Sequence, residues 1–430
     1  MLIIIGLLVS AVYFGLKFFQ KSQSQALTWW GLWEPESIVR PVLDEFEKSH
    51  PGLKVTYVFQ SLSEYRERLK TALSQGRGPD IFRLHASWVP MFRDDLSPVP
   101  GSVYTTQAFE STFYPAVKDT LRVGTNYVAV PLEYDGLAMF VNDDLLSSAG
   151  LSAPATWDDL RTTALTISRC DTKDRTCHPG NKIEISGAAL GSTENIDHWQ
   201  DIVSVLMLQN NVSLAVPGGK PAEDVFDYYR NFTRAYGIWD PTLPSSTSMF
   251  ASGKVGIYFG HSWRVFDIKK LNPQLKFSIH PIPQLPVDPS RGEKPINWAS
   301  YWVEGVNSKS PNGEAAWELL KYMSSPEVLE KLNAAAISPD RPFGEPYSRV
   351  DLADKLAGDS LVGPFIKQAP LARGWYMASA TSDGPTGLNT LLSQAYANAL
   401  SRKSSVTALS SEINKILSQY GLAAPIPAGQ

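Results

Sequence analysis

The sequence predicts an α/β protein whose sheets contain parallel strands and are covered by helices on both faces. The main observation is that strand-like and helix-like segments alternate from Leu27 onward. The length of 430 residues allows about two or three domains of ordinary size. The net charge is −4, with acidic and basic residues mixed along the chain, which argues against a nucleic-acid-binding surface.

The first third of the chain shows this alternation clearly. ALTWWG, LKVTYVF and DIFRLH are predicted strands, and SIVRPVLDEFEKSH between the first two is a predicted helix with one apolar face. Pro41 inside that helix predicts a late start or a kink. Ser63 is the predicted N-cap of the next helix, SEYRERLKTALSQG. The run YVAVPLEYDGLAMFVNDDLL holds two strand-like segments that break around Pro131–Gly136.

The rest of the chain is richer in helices. TWDDLRTTALTIS begins with a capping box formed by Thr156 and Asp159. IDHWQDIVSVLMLQNN is an apolar-faced helix, and VGIYFG, LKFSIHPIPQ and NWASYWVEGV are predicted strands. NGEAAWELLKYMSSPEVLEKLNAAA is helical with a proline at its middle break, and two further helices are predicted near the C-terminus.

Residues 1–21 are nearly all apolar over about the length of a membrane span. Two interpretations remain open, a permanent transmembrane anchor and a cleaved signal peptide. The run has no charged segment before it, and SQSQA after it is a poor cleavage site, which favours the anchor. Lys17 and Lys21 on the downstream side fit the positive-inside tendency poorly. Both interpretations place residues 27–430 outside the cytoplasmic membrane.

Cys170 and Cys177 are the two cysteines of the chain. Two unrelated thiols or half of a metal site would be alternatives, but no second Cys/His pair has ligand spacing. In an exported protein, a polar segment of this length between two cysteines favours a disulfide-linked loop.

Motifs that would indicate an enzyme are missing. HExxH, CxxC and GxxxxGK[ST] do not occur, and GHSWR at 260–264 lacks the second glycine of a nucleophile elbow. Glu133 and Asp135 would lie on one strand face about 7 Å apart, a spacing too common to indicate glycoside cleavage. The sequence therefore predicts a protein that is not an enzyme and needs no cofactor or metal.

The order of several segments resembles that of the extracellular solute-binding proteins of ABC importers. The segments are LTWWGLWEPES, GRGPDIFRLH, VAVPLEYDGLAMF, PATWDDL, FASGKVGIYFG and AAWELLKYMSSPE. They are most similar to the family that contains maltose-binding protein and other sugar binders. Each motif is modest by itself, but their order and spacing extend over nearly everything after residue 27.

The resemblance implies two α/β lobes, each with a mainly parallel sheet, and a ligand cleft between them. The chain would cross between the lobes near 133–136, 298–303 and 343–347. The first lobe would then comprise 27–133 plus 303–345, and the second 134–302 plus 346–430. Such a domain interface is a common place for a ligand pocket.

The resemblance also carries cleft positions onto this sequence. Asp135 falls at an acidic crossover position that often hydrogen-bonds sugar hydroxyls, and Trp263 and Trp375 match positions where rings stack on sugars. The other implied ligand contacts are Trp33, Glu34, His85, Ser87, Trp88, Glu194, Asn195, His198, Trp298 and Tyr301. Aromatic rings suit the C–H faces of sugars, and carboxylates and amides suit their hydroxyl rims. Loop lengths and the residues after GPDI differ from those of maltose-binding protein, so maltose is not implied.

The function implied is that of the substrate-binding component of an ABC importer, a monomer that binds a mono- or oligosaccharide by hinge closure. Its partners would be the permease subunits, and the membrane through segment 1–21. Two alternatives remain open: a carbohydrate-binding sensor or adhesin, and a glycan-cleaving enzyme. The solute could also be a polyamine, a glycerol phosphate or a peptide, although few cleft candidates are basic.

Overall fold

The computed structural model describes residues 25–379 and 381–422. Segment 1–21, and with it the prediction of an anchor or signal peptide, lies outside the described residues. Among the helices that are described, none is both long enough and apolar enough to cross a membrane.

The described chain alternates between strands and helices as predicted. Its strands are β1 Gln25–Gly31, β2 Leu53–Phe59, β3 Ile81–His85, β4 Arg122–Val123, β5 Asn126–Tyr127, β6 Ala129–Val130, β7 Ala138–Asn142, β8 Arg169–Cys170, β9 Ile183–Ala188, β10 Val255–Gly260, β11 Phe277–His280, β12 Asn297–Trp298, β13 Trp302–Val306 and β14 Ala372–Arg373. Its α-helices are α1 Glu36–Ser49, α2 Tyr65–Ser74, α3 Val89–Phe92, α4 Thr106–Thr112, α5 Val117–Thr120, α6 Asp143–Ser148, α7 Trp157–Ile167, α8 Trp199–Gln209, α9 Gly219–Arg234, α10 Ser246–Ala251, α11 Arg264–Leu271, α12 Gly313–Met323, α13 Pro326–Ala336, α14 Ala353–Leu356, α15 Gly363–Gln368, α16 Leu388–Leu400 and α17 Val406–Gln419.

Two five-stranded sheets form the centres of two lobes. The first has the order β2-β1-β3-β13-β6 and the second the order β11-β7-β10-β9-β8. In the first, β1 is parallel to β2 and β3, whereas β13 is antiparallel to β3 and β6. In the second, β9 and β10 are parallel, and the other described pairs are antiparallel. The predicted two-lobed α/β fold is confirmed. In the first sheet four of the five strands run in the same direction and β13 runs against them, whereas the second sheet is mixed. β7 and β13 run antiparallel to their neighbours because each enters its sheet directly from a crossover between the lobes. A parallel neighbour would need a helix that returns the chain to the same edge of the sheet.

Each sheet packs into a hydrophobic core that is assembled from separate parts of the chain. The core of the first sheet draws on residues within 27–134, 299–329 and 347–372. The core of the second sheet draws on residues within 137–298 and 362–417, and on Phe343. Each lobe is therefore discontinuous in sequence, because the chain leaves the lobe and later returns to it. The lobe bounds drawn from the sequence stay a prediction.

The segments that connect the lobes run side by side. Gly136 forms an antiparallel bridge with Ala299, and the N–H of Ser300 donates to the Asp135 carbonyl at 3.0 Å. A Cβ atom on Gly136 would clash with the carbonyl oxygen of Trp298, so glycine permits this close approach.

The third connecting segment lies against the first one. Glu133 bridges to Tyr347, and the N–H of Tyr134 donates to the carbonyl of Pro346 at 2.9 Å. A short set of backbone hydrogen bonds thus holds the connections together, which is the geometry expected of a hinge.

Two local predictions about helices have different outcomes. Thr156 is the N-cap of α7, and its Oγ1 accepts a hydrogen bond from the N–H of Asp159 at 3.1 Å, as the capping-box prediction requires. The prediction of Ser63 as an N-cap is wrong. α2 begins at Tyr65, and Glu64 before it has a left-handed backbone with φ of 53°, which displaces Ser63 from the cap position.

The predicted disulfide between Cys170 and Cys177 is present. It closes a short polar loop between β8 and β9, at the edge of the second sheet. Because the loop is short, the cross-link removes little chain entropy and contributes on the order of 2–3 kcal/mol at most.

Candidate functional site

Aromatic side chains cluster at one edge of the first sheet, where the sequence resemblance implies the ligand cleft. Trp302 begins β13 and lies directly opposite His85, the last residue of β3. The Trp302 ring makes edge-to-face contacts with Trp33, Trp88 and His85, with centroid distances of 5.7, 5.1 and 5.2 Å. Trp88 is fully buried, whereas Trp33 is 41% exposed. We call these four residues the first cleft wall.

Trp33 occupies a strained backbone position. Its φ is 70°, and the N–H of Glu34 donates to the carbonyl of Leu32 at 2.8 Å, which makes a γ-turn around Trp33. A bulky residue with positive φ costs on the order of 1–3 kcal/mol, and such strain is concentrated at binding sites. The turn directs the Trp33 ring outward to the lip of the cleft, while Glu34 faces the interior of the first lobe.

His85 links the first cleft wall to the second crossover. The N–H of Ser87 and the Ser87 hydroxyl lie 3.3 and 2.7 Å from Nδ1, so Nδ1 is the acceptor. Nε2 then carries the proton and donates to the Ser300 hydroxyl at 3.1 Å. Burial lowers the pKa of His85 to about 3, which keeps the ring neutral.

Asp135 connects the first crossover to the end of β10. Its Oδ1 accepts from the N–H groups of Gly136 and Ser262 at 2.7 and 3.1 Å, and its Oδ2 accepts from the Ser262 hydroxyl at 3.0 Å. Burial raises the pKa of Asp135, while nearby His261 opposes that shift. Three donors leave about one of the roughly four lone-pair positions of a carboxylate for a solute.

A buried polar network lies on the side of the second lobe, around Asp201 of α8. The carboxylate accepts from Trp298 Nε1 at 2.8 Å, His261 Nε2 at 2.9 Å and the N–H of Ser379 at 3.1 Å. The Ser379 hydroxyl also donates to it. Burial alone would raise the pKa of Asp201, but the neighbouring His198 ring, 3.8 Å away, and the hydrogen bond from His261 bring it well below its ordinary range. The buried carboxylate therefore stays charged and raises the pKa of His261 in return.

Trp263 and Arg264 extend this network toward the surface of the second lobe. Arg264 Nε donates to His198 Nε2 at 2.9 Å, so His198 Nδ1 donates to the Ser379 hydroxyl at 2.5 Å. The Arg264 guanidinium lies 4.1 Å from the centroid of the Trp263 ring. Both side chains are half-buried, unlike fully buried His198. We call His198, Asp201, His261, Trp263 and Arg264 the second cleft wall.

Trp298 and Trp375 are brought together by a small parallel pair of strands. β12 pairs with β14, so Trp298 lies opposite Arg373, two residues before Trp375. Trp298 is 1% exposed, whereas Trp375 is half-buried and stacks at an angle near Tyr376, with 5.9 Å between centroids. Of these two tryptophans, Trp375 retains an accessible face.

Four other predicted contacts lie away from the two walls or are engaged by neighbouring protein groups. Glu34 binds Arg83 inside the first lobe, and Tyr301 is buried with its hydroxyl 3.0 Å from that of Thr120. The side chain of Asn195 bonds three groups of a loop of the second lobe, the carbonyls of Asp240 and Leu243 and the indole N–H of Trp239. Glu194 is exposed and lines a polar groove of about 380 Å³ formed with α8 and α16.

Four residues of the two walls were not among the predicted ligand contacts: Trp302, Asp201, His261 and Arg264. A signal existed for Asp201, because a carboxylate in the middle of the apolar run WQDIVSV, three residues after His198, must find a buried partner. Trp302 could be found only from the register of β13 against β3.

Two groups of side chains have the composition of metal ligands among the described residues. In His198, Asp201 and His261, the ligand atoms are engaged in the hydrogen bonds described above, so the group is complete without an ion. The second group is Glu34, Glu133 and Glu345, in the first lobe.

Comparison with known families gives a match over most of the chain. The sequence model of the family described as bacterial extracellular solute-binding protein matches residues 33–330, more than two thirds of the 430 residues.

Known relatives are distant but cover much of the chain. A binding protein of Brucella abortus (strain 2308) is 24% identical over 340 residues, which are 77% of this chain and 79% of that protein. The maltotriose-binding protein of Pyrococcus abyssi is 22% identical over 317 residues, 69% of this chain and 61% of that protein. Among solved structures, the sugar-binding protein MalE of Xanthomonas citri superposes with a TM-score of 0.70 at 19% identity, over 92% of this chain and 98% of that one.

Proposed function

Because the chain belongs to the bacterial extracellular solute-binding protein family, we propose that it binds a mono- or oligosaccharide between its lobes and delivers it to the permease subunits of an ABC importer. It acts as a monomer and binds its solute without turning it over. The relative named for maltotriose supports a carbohydrate as the solute.

The observation that carries the proposal is the combination of accessible aromatic faces on both walls with one charged hydrogen-bond donor, Arg264. Trp33 and Trp302 lie on one wall, and Trp263 with Arg264 lies on the other. A sugar can stack its C–H face on a ring and donate or accept hydrogen bonds at its rim. Few uncharged solutes other than sugars offer both an apolar face for stacking and a rim of hydrogen-bonding groups.

The roles of the predicted site residues follow from their exposure. We assign stacking to Trp33, Trp263 and Trp375, which keep accessible ring surface. Asp135 has one lone-pair position left for a hydroxyl, and Arg264 is a half-buried donor. The remaining predicted contacts hold these groups in place or approach the solute only when the lobes close: Glu34, His85, Ser87, Trp88, Glu194, Asn195, His198, Trp298 and Tyr301.

A screen of mono- and oligosaccharides by thermal shift tests this function. One class of sugar is expected to raise the melting temperature, because a ligand at a hundred times its Kd stabilises the native state by about 2.7 kcal/mol. The same sugar is expected to reduce the radius of gyration in X-ray scattering, since the crossovers at Gly136 and Ala299 act as a hinge. A sugar without a thermal shift is the control. A response to polyamines, glycerol phosphate or peptides alone would refute the carbohydrate assignment.

The family is extracytoplasmic, and we propose further that segment 1–21 keeps this protein at the membrane as an uncleaved anchor. The absence of a good cleavage site supports this. Membranes washed with alkaline carbonate are expected to retain the full-length chain. Recovery of a shortened chain in the released fraction would show a signal peptide instead.

A further inference from the structure

A small cavity lies beneath the first sheet, beside the connections between the lobes. Its volume is about 40 Å³, enough for a water or an ion but not for a sugar. Trp29, Tyr57, Leu329 and Asn333 are among the residues that line it, together with several charged side chains. We call it the acidic cavity, and it is separate from the cleft walls.

The charges around the acidic cavity do not balance. Its surroundings carry four carboxylates and two guanidinium groups: Glu34, Glu133, Glu304 and Glu345, with Arg83 and Arg341. Arg83 bonds Glu34 at 2.7 Å and Glu304 at 2.6 Å, and lies 3.8 Å from Glu133. Arg341 pairs with Glu345. If all four carboxylates are ionised, two negative charges are left over in a buried place, where uncompensated charge is costly. Without a cation the cluster balances only by taking up protons, and burial accordingly raises the pKa of Glu345 to about 7.

One carboxylate oxygen at the cavity has no partner. Glu34 is 7% exposed, and its Oε2 accepts from Arg83, but its buried Oε1 has no hydrogen-bond donor. A buried, charged oxygen without a partner is rare in native proteins and calls for a proton, a water or a cation. Since Glu34 lines the cavity, the missing partner belongs there.

The carboxylates have the spacing of cation ligands. One oxygen each from Glu34, Glu133 and Glu345 lie within 4.8 Å of one another. Calcium binds oxygens at about 2.3–2.6 Å, so a single ion between three such oxygens can reach all of them. The side chain of Glu345 is 29% exposed, which provides a path for entry from solvent.

We propose that the acidic cavity is a binding site for one divalent cation of the size of Ca²⁺, held by Glu34, Glu133 and Glu345. The ion neutralises the two excess charges and supplies the partner of Glu34 Oε1. Burial, and then repulsion by Glu345 and Glu34, raises the pKa of Glu133 against the attraction of Arg83, as expected where carboxylates crowd without a cation.

The position of this site connects it to the hinge. Glu133 lies in the first crossover and Glu345 in the third, and these segments already pair through the bridge from Glu133 to Tyr347. Glu34 follows Trp33, the strained residue at the lip of the cleft. A bound cation therefore cross-links two connecting segments and the turn that presents Trp33.

Terbium luminescence tests the proposal on the full chain after removal of metals with a chelator. Tb³⁺ has the size and ligand preference of Ca²⁺, and Trp29 and Tyr57 at the cavity can sensitise its emission. We expect saturable emission at one ion per chain, displaced by CaCl₂ and more weakly by MgCl₂. Glu133→Gln and Glu345→Gln are each expected to weaken Tb³⁺ binding at least tenfold. Glu314→Gln, at an exposed position of α12, is the control and should bind as the parent does.

Melting curves in chelator and in CaCl₂ show whether a bound cation or a proton neutralises the crowded carboxylates. Both glutamine variants are expected to melt no lower than the parent in chelator, because each removes a repelled charge. CaCl₂ is expected to raise the melting temperature of the parent and of Glu314→Gln only. Absence of saturable Tb³⁺ emission from the parent, or equal emission from all four proteins, would overturn the proposal. None of these readouts requires a sugar, so they stand apart from the test of solute binding.

Discussion

Replacing Arg83 with methionine is expected to lower the free energy of unfolding by about 3–5 kcal/mol, the range for removing one partner of a buried ion pair. Arg83 lies in the middle of β3, and its Nε bonds Glu304, the residue directly opposite on β13. Glu304 is fully buried and also accepts from Trp29 Nε1 at 2.9 Å. Without the guanidinium, the carboxylates around the acidic cavity would have to take up protons or open the lobe to water.

Urea unfolding followed by tryptophan fluorescence measures this loss, with chelator present so that no cation replaces the missing charge. Arg161→Met is the matched control, because Arg161 pairs with Asp158 at the surface of α7. A surface pair of this kind contributes about 0.2–1 kcal/mol. If the two variants lose equally little stability, the cluster is not held together by Arg83.

The second large effect concerns solute binding. Trp263→Ala is expected to weaken the affinity for the bound sugar by roughly 2–4 kcal/mol, the range of binding hot spots. The ring is held in place by Arg264 on its face and by the edge of His198, with 6.0 Å between the His198 and Trp263 centroids. Because the ring is half-buried, its removal should change the melting temperature of the free protein only slightly.

Trp317→Ala is the matched control for that experiment. Trp317 lies on α12 in the core of the first lobe and is 2% exposed. Its removal is expected to cost about 3–5 kcal/mol of stability by leaving a cavity. Affinity for the sugar should remain that of the parent. Calorimetric titration and melting curves on both variants distinguish the two roles, and a Trp263 variant that binds normally would remove this residue from the site.

How far the site could be predicted depends on how far apart in sequence its members lie. Trp33 and Glu34 were predicted to contact ligand together, yet the turn at Trp33 sends their side chains to different places. Asp201 is 97 residues from Trp298 and 178 from Ser379, its donors. No local pattern encodes such partners, because they depend on where the crossovers return the chain.

The sequence by itself determined the elements and the family. Apolar periodicity, the capping box at Thr156 and the short spacing of Cys170 and Cys177 act over a few residues, so they can be read before folding is known. The order of its motifs placed the chain among two-lobed solute-binding proteins, which the family match confirms. Only the tertiary structure decided which rings keep an accessible face and which charges lack a partner. Exposure and charge balance are properties of packing. The register of β13 against β3 sets Trp302 beside His85 and Glu304 beside Arg83. If β13 were shifted by one residue, its side chains would change to the opposite faces of the sheet and both pairs would be lost.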